Sequence, residues 1–195
     1  AVAGRRCLDA GASTGGFTDV LLRRGAGHVV AVDVGYGQIA WRLREDPRVT
    51  VLERTNVRTL DPAAVAPAPG LVVGDLSFIS LTLVIPSLVR AAAAEADFLL
   101  LVKPQFEVGR ERLGAGGVVR DTRLHAETVM AVSACARSHG LDVLAAIASP
   151  LPGPAGNVEY FLHMRAGSGQ EPDGGLESAV RSAIATGPAG KEARK

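Results

Sequence analysis

Three aspartates stand at or just beyond the ends of short apolar runs, at Asp9, Asp33 and Asp75. Ligands of open α/β sheets bind at the carboxyl ends of the strands, so we expect these carboxylates to share one site. Asp33 follows a glycine-rich turn by about twenty residues, the spacing at which an acidic residue accepts the hydroxyls of an adenosine ribose. Such a cluster suits a ligand with an adenosine part and a positive charge.

The glycine-rich turn reads CLDAGASTGGF, in which Ser13 occupies the second glycine position of the dinucleotide fingerprint. A pyrophosphate is repelled by carboxylates, whereas the sulfonium and ammonium of S-adenosylmethionine are attracted, so the sequence favours this cofactor. A tight turn without a ligand is the alternative. Phe17 and Tyr36 are candidates to flank the cofactor, although an aromatic residue near a strand end is more often part of the core. Asn56 is a turn residue as readily as a contact to the adenine edge. The expected cofactor contacts are Asp9, Gly11, Ala12, Ser13, Gly15, Gly16, Phe17, Asp33, Asn56 and Asp75.

The candidate catalytic residues are Asp75, Lys103 and Glu159. Lys103 ends an apolar run and precedes Pro104, which holds it extended and stops the strand. Glu159 opens the last predicted strand, and if that strand is reversed the carboxylate faces Lys103. A desolvated lysine accepts a proton from a hydroxyl nucleophile, and a charged one stabilises the developing alkoxide; the sequence leaves both roles open. The ordinary alternatives are a snorkelling lysine and a surface acid.

Apolar runs alternate with amphipathic stretches, a pattern typical of a parallel sheet with crossover helices. The proline-rich loop SPLPGPAGN is too short for a parallel crossover, so the final strand should be antiparallel. We therefore predict an α/β Rossmann-like methyltransferase fold with a seven-stranded, mostly parallel sheet. The predicted strands are Arg6–Asp9, His28–Asp33, Val49–Glu53, Leu71–Asp75, Phe98–Val102, Leu141–Ala148 and Glu159–Met164, and the predicted helices are Gly16–Arg24, Ile39–Glu45, Leu81–Ala94, Leu124–His139 and Leu176–Ala185.

Composition narrows the class of protein. With 195 residues, 47% of them hydrophobic, the chain is long enough for one globular domain. A net charge of +1 means that any RNA contact must rest on a local basic patch or on another domain. Cys7 and Cys135 read as reduced buried thiols of a cytoplasmic protein, and neither a signal peptide, a membrane-spanning run nor a metal site is indicated.

The predicted organisation has three parts. Residues 1–165 form the methyltransferase domain, 166–175 a Gly/Ser-rich linker, and 176–195 a short helix with a flexible charged tail. The first strand begins almost at once, so we expect a preceding segment. The Gly-rich loop 108–120 carries Arg110, Arg112 and Arg120 beside the predicted active edge, as a local RNA contact or as ordinary solvated arginines.

The motifs LDAGASTGGFTDVLL, VDVGYGQ, ERTN, GDLSFISL, VKPQFEVG, GGVVRD and SPLPGPAGNVEYFL resemble the TlyA family of rRNA 2′-O-methyltransferases. This family is related to the FtsJ-type RNA methyltransferases and was historically labelled haemolysin. The resemblance, which extends to Arg165, implies an N-terminal S4-type RNA-binding domain, cytidine 2′-hydroxyls of 16S and 23S rRNA as substrates, and a Lys-Asp-Lys-Glu catalytic set. Asp75, Lys103 and Glu159 match three of these four; upstream of the glycine loop only Arg5 and Arg6 are basic, and neither fits the first lysine.

Two other functions remain open at this stage. Methyl transfer to a base nitrogen, a protein or a small molecule is one, but amino-group methyltransferases commonly carry two prolines where this sequence reads Asp75-Leu76-Ser77-Phe78. A membrane-active haemolysin is the other, although the sequence shows neither a spanning helix nor a basic amphipathic one.

Overall fold

The computed structural model describes residues 1–167, 169–172 and 174–189, in which seven strands form one sheet of order β3-β2-β1-β4-β5-β7-β6. This order, with parallel strands followed by a reversed final strand, confirms the predicted fold class. The strands are β1 (Arg6–Ala10), β2 (His28–Val32), β3 (Val49–Leu52), β4 (Leu71–Gly74), β5 (Asp97–Val102), β6 (Leu141–Ala148) and β7 (Tyr160–Ala166).

Among the residues that the structure describes, six α-helices lie between or after these strands. The predicted helix over Leu81–Ala94 is instead a 3₁₀ turn at Leu81–Leu83 followed by a helix that begins at Ile85. Pro86 explains the late start, because proline lacks a backbone N–H and is tolerated in the first helical turn. The helices are α1 (Gly16–Arg23), α2 (Trp41–Arg44), α3 (Ile85–Ala91), α4 (Pro104–Glu107), α5 (Thr122–Ser138) and α6 (Leu176–Thr186).

Strand pairing follows the apolar runs. β1 pairs in parallel with β2 and with β4, and β2 pairs in parallel with β3. All four residues of β4 are buried, as expected for a strand covered on both faces. β7 is antiparallel to β6, which confirms the prediction from the short proline-rich loop. The strand starts at Tyr160, so Glu159 is the residue before it rather than its first member.

The chain divides into two compact units. The first comprises Ala1–Leu76 and Val84–Leu99, and the second comprises Ser77–Leu83 and the described residues from Leu100 onward. The core of the first unit is formed by small and branched apolar residues of α1, β1, β2 and β4, among them Leu21, Val29 and Val73.

The second unit is built on β6 and β7, with α5 and α6 packed against β6 and against each other. Buried side chains of α5 and β7, such as Val132, Leu162 and Met164, form its core. α6 buries Leu176, Val180, Ala183 and Ile184. Part of the predicted linker and tail, residues 168, 173 and 190–195, lies outside the described residues. Cys7 is buried and Cys135 is half-buried, and both are free thiols.

Candidate active site

The turn between β1 and α1 brings the backbone close to the end of β4. Gly11 has a φ of 83°, and a Cβ placed on it would lie 2.7 Å from the carbonyl oxygen of Asp75. Gly15, with a φ of 96°, would place a Cβ 2.2 Å from Leu43 Cδ1. These two glycines are therefore required by left-handed backbone geometry and by close approach, as expected for a ligand-binding turn. Gly16 begins α1 and is exposed, and Ala12 is buried.

Asp33, the predicted ribose ligand, stands one residue beyond β2 and organises the same turn. Its Oδ2 accepts a hydrogen bond of 2.8 Å from the Ser13 backbone N–H, and its Oδ1 accepts one of 2.7 Å from the Gly35 N–H. Ser13 has a φ of 47°, an uncommon conformation for a residue with a side chain. The half-buried carboxylate retains acceptor capacity on both oxygens, since each has two lone pairs.

Asp9 is almost completely buried at the end of β1, with 1% of its surface exposed. Its Oδ2 accepts a hydrogen bond of 2.6 Å from Thr18 Oγ1, whereas Oδ1 has no hydrogen-bond partner within the described residues. Burial raises the pKa of Asp9 to about 6, the charges of Asp75 and Asp33 raise it further, and the Thr18 hydrogen bond opposes the rise. A buried acceptor with spare capacity beside two more carboxylates favours a cationic ligand.

The other predicted contacts have more ordinary surroundings. Phe17 is half-buried and packs against the core of the first unit. Asn56 Oδ1 accepts a hydrogen bond of 2.9 Å from the Arg58 N–H and so begins a 3₁₀ turn, which leaves its side-chain NH₂ as the group able to meet a base. Tyr36 is exposed and lies under the Arg54 guanidinium, 4.4 Å from the ring centroid.

Lys103 lies directly after β5, as the apolar run and Pro104 predict. It is 7% exposed, and its Nζ donates a hydrogen bond of 3.0 Å to Ser77 Oγ. Pro104 starts the four-residue helix α4. A lysine so nearly buried has its ammonium fixed rather than extended into solvent, so the snorkelling alternative does not describe it.

Glu159 is also buried, with 5% of its surface exposed, just before β7. Its Oε1 accepts a hydrogen bond of 2.9 Å from Gln105 Nε2, which belongs to α4. The loop before it passes close by, since a Cβ on Gly153 would lie 2.4 Å from the same oxygen. The buried position excludes the surface-acid alternative for Glu159.

Sequence reasoning missed several residues that hold these side chains. Gln105 contacts Glu159, and Glu107 accepts hydrogen bonds from Ser80 Oγ and from the Leu81 N–H. Ser77 accepts the hydrogen bond of Lys103. The signal that could have found them is the run of polar residues directly after the lysine, in VKPQFE.

Phe78 is a further residue that the sequence analysis passed over. Its side chain is 91% exposed, its φ is 63°, and its ring centroid lies 5.1 Å from that of Phe106. A left-handed conformation is uncommon for an aromatic residue and marks the turn as a functional candidate.

The arginine-bearing loop 108–120 is tied down at its end. Asn157 accepts a hydrogen bond of 3.1 Å from the Val119 N–H and donates one of 3.0 Å to the Gly117 carbonyl. His125 Nε2 donates to the Val119 carbonyl at 2.8 Å, which leaves Nδ1 to accept from the Tyr160 hydroxyl at 2.9 Å. Burial lowers the pKa of His125, in keeping with this neutral form.

The three loop arginines differ in their surroundings. All three are exposed, and Arg112 is in addition paired with Glu127 at 2.5 Å. The two predicted catalytic residues of the second unit both lie at α4: Lys103 directly precedes this helix, and Glu159 accepts a hydrogen bond from Gln105 within it. Their convergence with the Asp75 side chain stays a prediction.

Comparison with known proteins agrees with the geometry. A sequence model described as FtsJ-like methyltransferase matches residues 1–166. Over 189 residues the chain is 61% identical to the 16S/23S rRNA (cytidine-2'-O)-methyltransferase TlyA of Mycobacterium tuberculosis, covering 96% of this chain and 70% of that protein. A solved Streptococcus thermophilus structure, provisionally described as a hemolysin, is 38% identical with a TM-score of 0.92 and covers 100% of this chain and 69% of that one.

A more distant structure shows the fold alone: an S-adenosylmethionine dependent methyltransferase of Mesorhizobium loti is 15% identical with a TM-score of 0.61, over 84% of this chain and 92% of that one. The sheet order and the acid-bearing glycine turn thus define a Rossmann-like methyltransferase that depends on S-adenosylmethionine. The chain belongs to the FtsJ-like methyltransferases, and among them to the TlyA family.

In the part of the chain that the structure describes, no helix is both long enough and apolar enough to cross a membrane.

Proposed function

We propose that this chain transfers the methyl group of S-adenosylmethionine to a ribose 2′-hydroxyl in rRNA, with cytidines of 16S and 23S rRNA as targets. The strongest support is the buried Lys103, whose Nζ is held 3.0 Å from Ser77 Oγ at the end of a sheet strand. The 61% identity to a relative named for this reaction supports the substrate. Such a substrate places the reaction in the cytoplasm.

Cofactor binding is assigned to the first unit. Asp33 would hold the two ribose hydroxyls, and Asp9 with Asp75 would face the positive charges, with the turn from Gly11 to Gly16 closing around the ligand. The fit rests on the unsatisfied buried oxygen of Asp9 and on the glycine turn that a Cβ would obstruct. When bound, S-adenosylmethionine supplies an electrophilic methyl group. Asn56 would offer its NH₂ to the adenine edge.

We assign to Lys103 the activation of the substrate hydroxyl. A ribose 2′-hydroxyl ionises far above neutral pH, so a group must take its proton or stabilise the forming alkoxide. The Lys103 amine does the first when neutral and the second when charged. Asp75 and Glu159 orient the lysine, and Gln105 holds Glu159 through its 2.9 Å hydrogen bond.

RNA is the substrate that the surroundings of Lys103 suit best. Phe78 exposes an aromatic ring that a splayed-out base stacks on, a mode common in recognition of unpaired RNA. Arg110 and Arg120, exposed on the loop 108–120, supply phosphate contacts. An S4-type domain, as in the family resemblance, would supply further RNA contacts.

The test is methyl transfer to ribosomal subunits that lack the modification, using labelled S-adenosylmethionine. The chain is assayed alone and together with whatever residues precede it in its gene. We expect label in ribose 2′-O positions, loss of transfer in Lys103→Met, and cofactor affinity within about twofold of wild type, because Lys103 lies outside the first unit.

Label on a base nitrogen would support the rival methyltransferase reading. Undiminished transfer by Lys103→Met would refute the assigned role of the lysine.

A further inference from the structure

Glu107, the last residue of α4, accepts hydrogen bonds from the segment 77–83 at both of its carboxylate oxygens. Ser80 Oγ donates a hydrogen bond of 2.5 Å to Oε2, and the Leu81 N–H donates one of 2.8 Å to Oε1. The glutamate is half-buried, so these charge-assisted bonds are shielded from water. The contact joins α4 to the segment that follows β4.

The hydrogen-bond donors of Ser80 and Leu81 match the acceptor oxygens of Glu107 in number. Ser80 Oγ already accepts a hydrogen bond of 3.1 Å from the Thr82 N–H and lies 2.7 Å from Thr82 Oγ1. The Ser80 hydroxyl proton therefore needs an acceptor, and the Leu81 N–H needs a different one. An ionised carboxylate provides two acceptor oxygens, whereas a glutamine or a protonated glutamate provides one and adds a donor.

Two more contacts run between the same pieces of chain. Lys103 Nζ donates to Ser77 Oγ, and the rings of Phe106 and Phe78 lie 5.1 Å apart. Residues 103–107 thus contact the segment 77–83 at three successive places. The contact at Glu107 has two hydrogen bonds, more than either of the others. Releasing that end frees the turn that carries Ser77 and the exposed Phe78.

We propose that Glu107 is a positioning residue for methyl transfer, which fixes the segment 77–83 so that Ser77 holds the Lys103 ammonium and Phe78 keeps its exposed, left-handed position. The inference rests on the proposed role of Lys103. Within the described residues, the Glu107 carboxylate accepts its hydrogen bonds from the Ser80 hydroxyl and the Leu81 N–H. It acts through the segment and not on the substrate.

Keeping Glu107 ionised lowers the stability of the folded protein. Burial raises the pKa of Glu107, and the two hydrogen bonds only oppose that rise. The ionised form is therefore less favourable in the folded protein than in the unfolded chain. An acid kept at such a cost is better explained by what it positions than by stability.

The experiment compares Glu107→Gln and Ser80→Ala with wild type in the rRNA methylation assay, with Glu177→Gln on α6 as the control. Glu177 is exposed and paired with Arg181 in the same helix. We expect both site variants to lower kcat by about tenfold or more at temperatures where they remain folded, with the KM for S-adenosylmethionine within about twofold. The control should match wild type.

A double variant tests whether Glu107 acts through Ser77. Ser77→Ala alone should lower kcat, and adding Glu107→Gln should lower it little further, because both changes release the same hold on the lysine. Additive losses, an unchanged kcat, or a loss that follows Tm would overturn the inference. Full activity of Lys103→Met would instead overturn the proposed role of the lysine, and label outside ribose would overturn the proposed function, so these failures are distinguishable.

Discussion

At the scale of single residues, Asp33 organises the turn that follows β1, and we propose that it also binds the ribose of the cofactor. Its carboxylate accepts the N–H groups of Ser13 and Gly35. We predict that Asp33→Ala weakens S-adenosylmethionine binding by about 10- to 100-fold, the value of one or two charge-assisted hydrogen bonds. Calorimetric titration measures it, with Asp46→Ala as control, because Asp46 pairs with Arg48 at the surface. Unchanged affinity in Asp33→Ala would refute the ribose assignment.

We predict that Asp9, in its proposed place beside the cofactor, makes cofactor binding depend on pH. Its folded-state pKa of about 6 lies above the ordinary 3.8, so the folded protein binds this proton more tightly than the unfolded chain. The contribution of Asp9 to stability is therefore present below about pH 4 and is lost as the pH rises through about 6.

Binding of a cation favours the ionised form. Below about pH 6 the cofactor must displace the Asp9 proton, so affinity should rise from pH 5 to pH 7 and the rise should shrink in Asp9→Asn. Calorimetry in buffers of different ionisation enthalpy measures the proton released. Equal pH dependence in wild type and Asp9→Asn would show that another group is responsible.

At the scale of elements, the loop between β6 and β7 sets the place of Glu159. A Cβ on Gly153 would lie 2.4 Å from Glu159 Oε1, so Gly153→Ala must push the carboxylate away from Gln105. We expect kcat to fall about tenfold or more with cofactor affinity unchanged.

Gly70→Ala is a suitable control for that experiment, since its Cβ would meet only the Arg5 side chain, at 3.6 Å. Steady-state kinetics and cofactor titration are measured for both variants. A kcat for Gly153→Ala equal to that of Gly70→Ala would mean that the position of Glu159 does not limit the reaction.

The strands were easier to predict from the sequence than the hydrogen-bond partners of the site side chains. The alternation of apolar runs gave all seven strands to within two residues, and Pro104 marked the end of β5 beside Lys103. Gln105, Glu107 and Ser77 were missed because loops have no periodicity, and the partner of a polar side chain depends on distant parts of the chain. The same reason left the packing of Phe17 and the turn role of Asn56 undecided.

At the scale of the whole molecule, a net charge of +1 makes local arginines decisive for RNA binding. We predict that Arg110→Ala with Arg120→Ala raises the KM for rRNA and lowers the slope of log affinity against log salt by about one to two. Cofactor affinity should not change. Arg181→Ala is the control because Arg181 pairs with Glu177 on α6. An unaltered salt slope would place the phosphate contacts elsewhere.

The division into two units also limits how the gene can recombine. The segment 77–83 of the second unit is inserted between two stretches of the first, so the polypeptide passes from one unit to the other three times. Neither unit is a contiguous stretch of sequence, and a single gene breakpoint cannot exchange the whole first unit while leaving Lys103 with its partner Ser77. Recombination among relatives would therefore have to carry both parts together, and chimaeras made with one junction between residues 84 and 99 should separate residues that need each other.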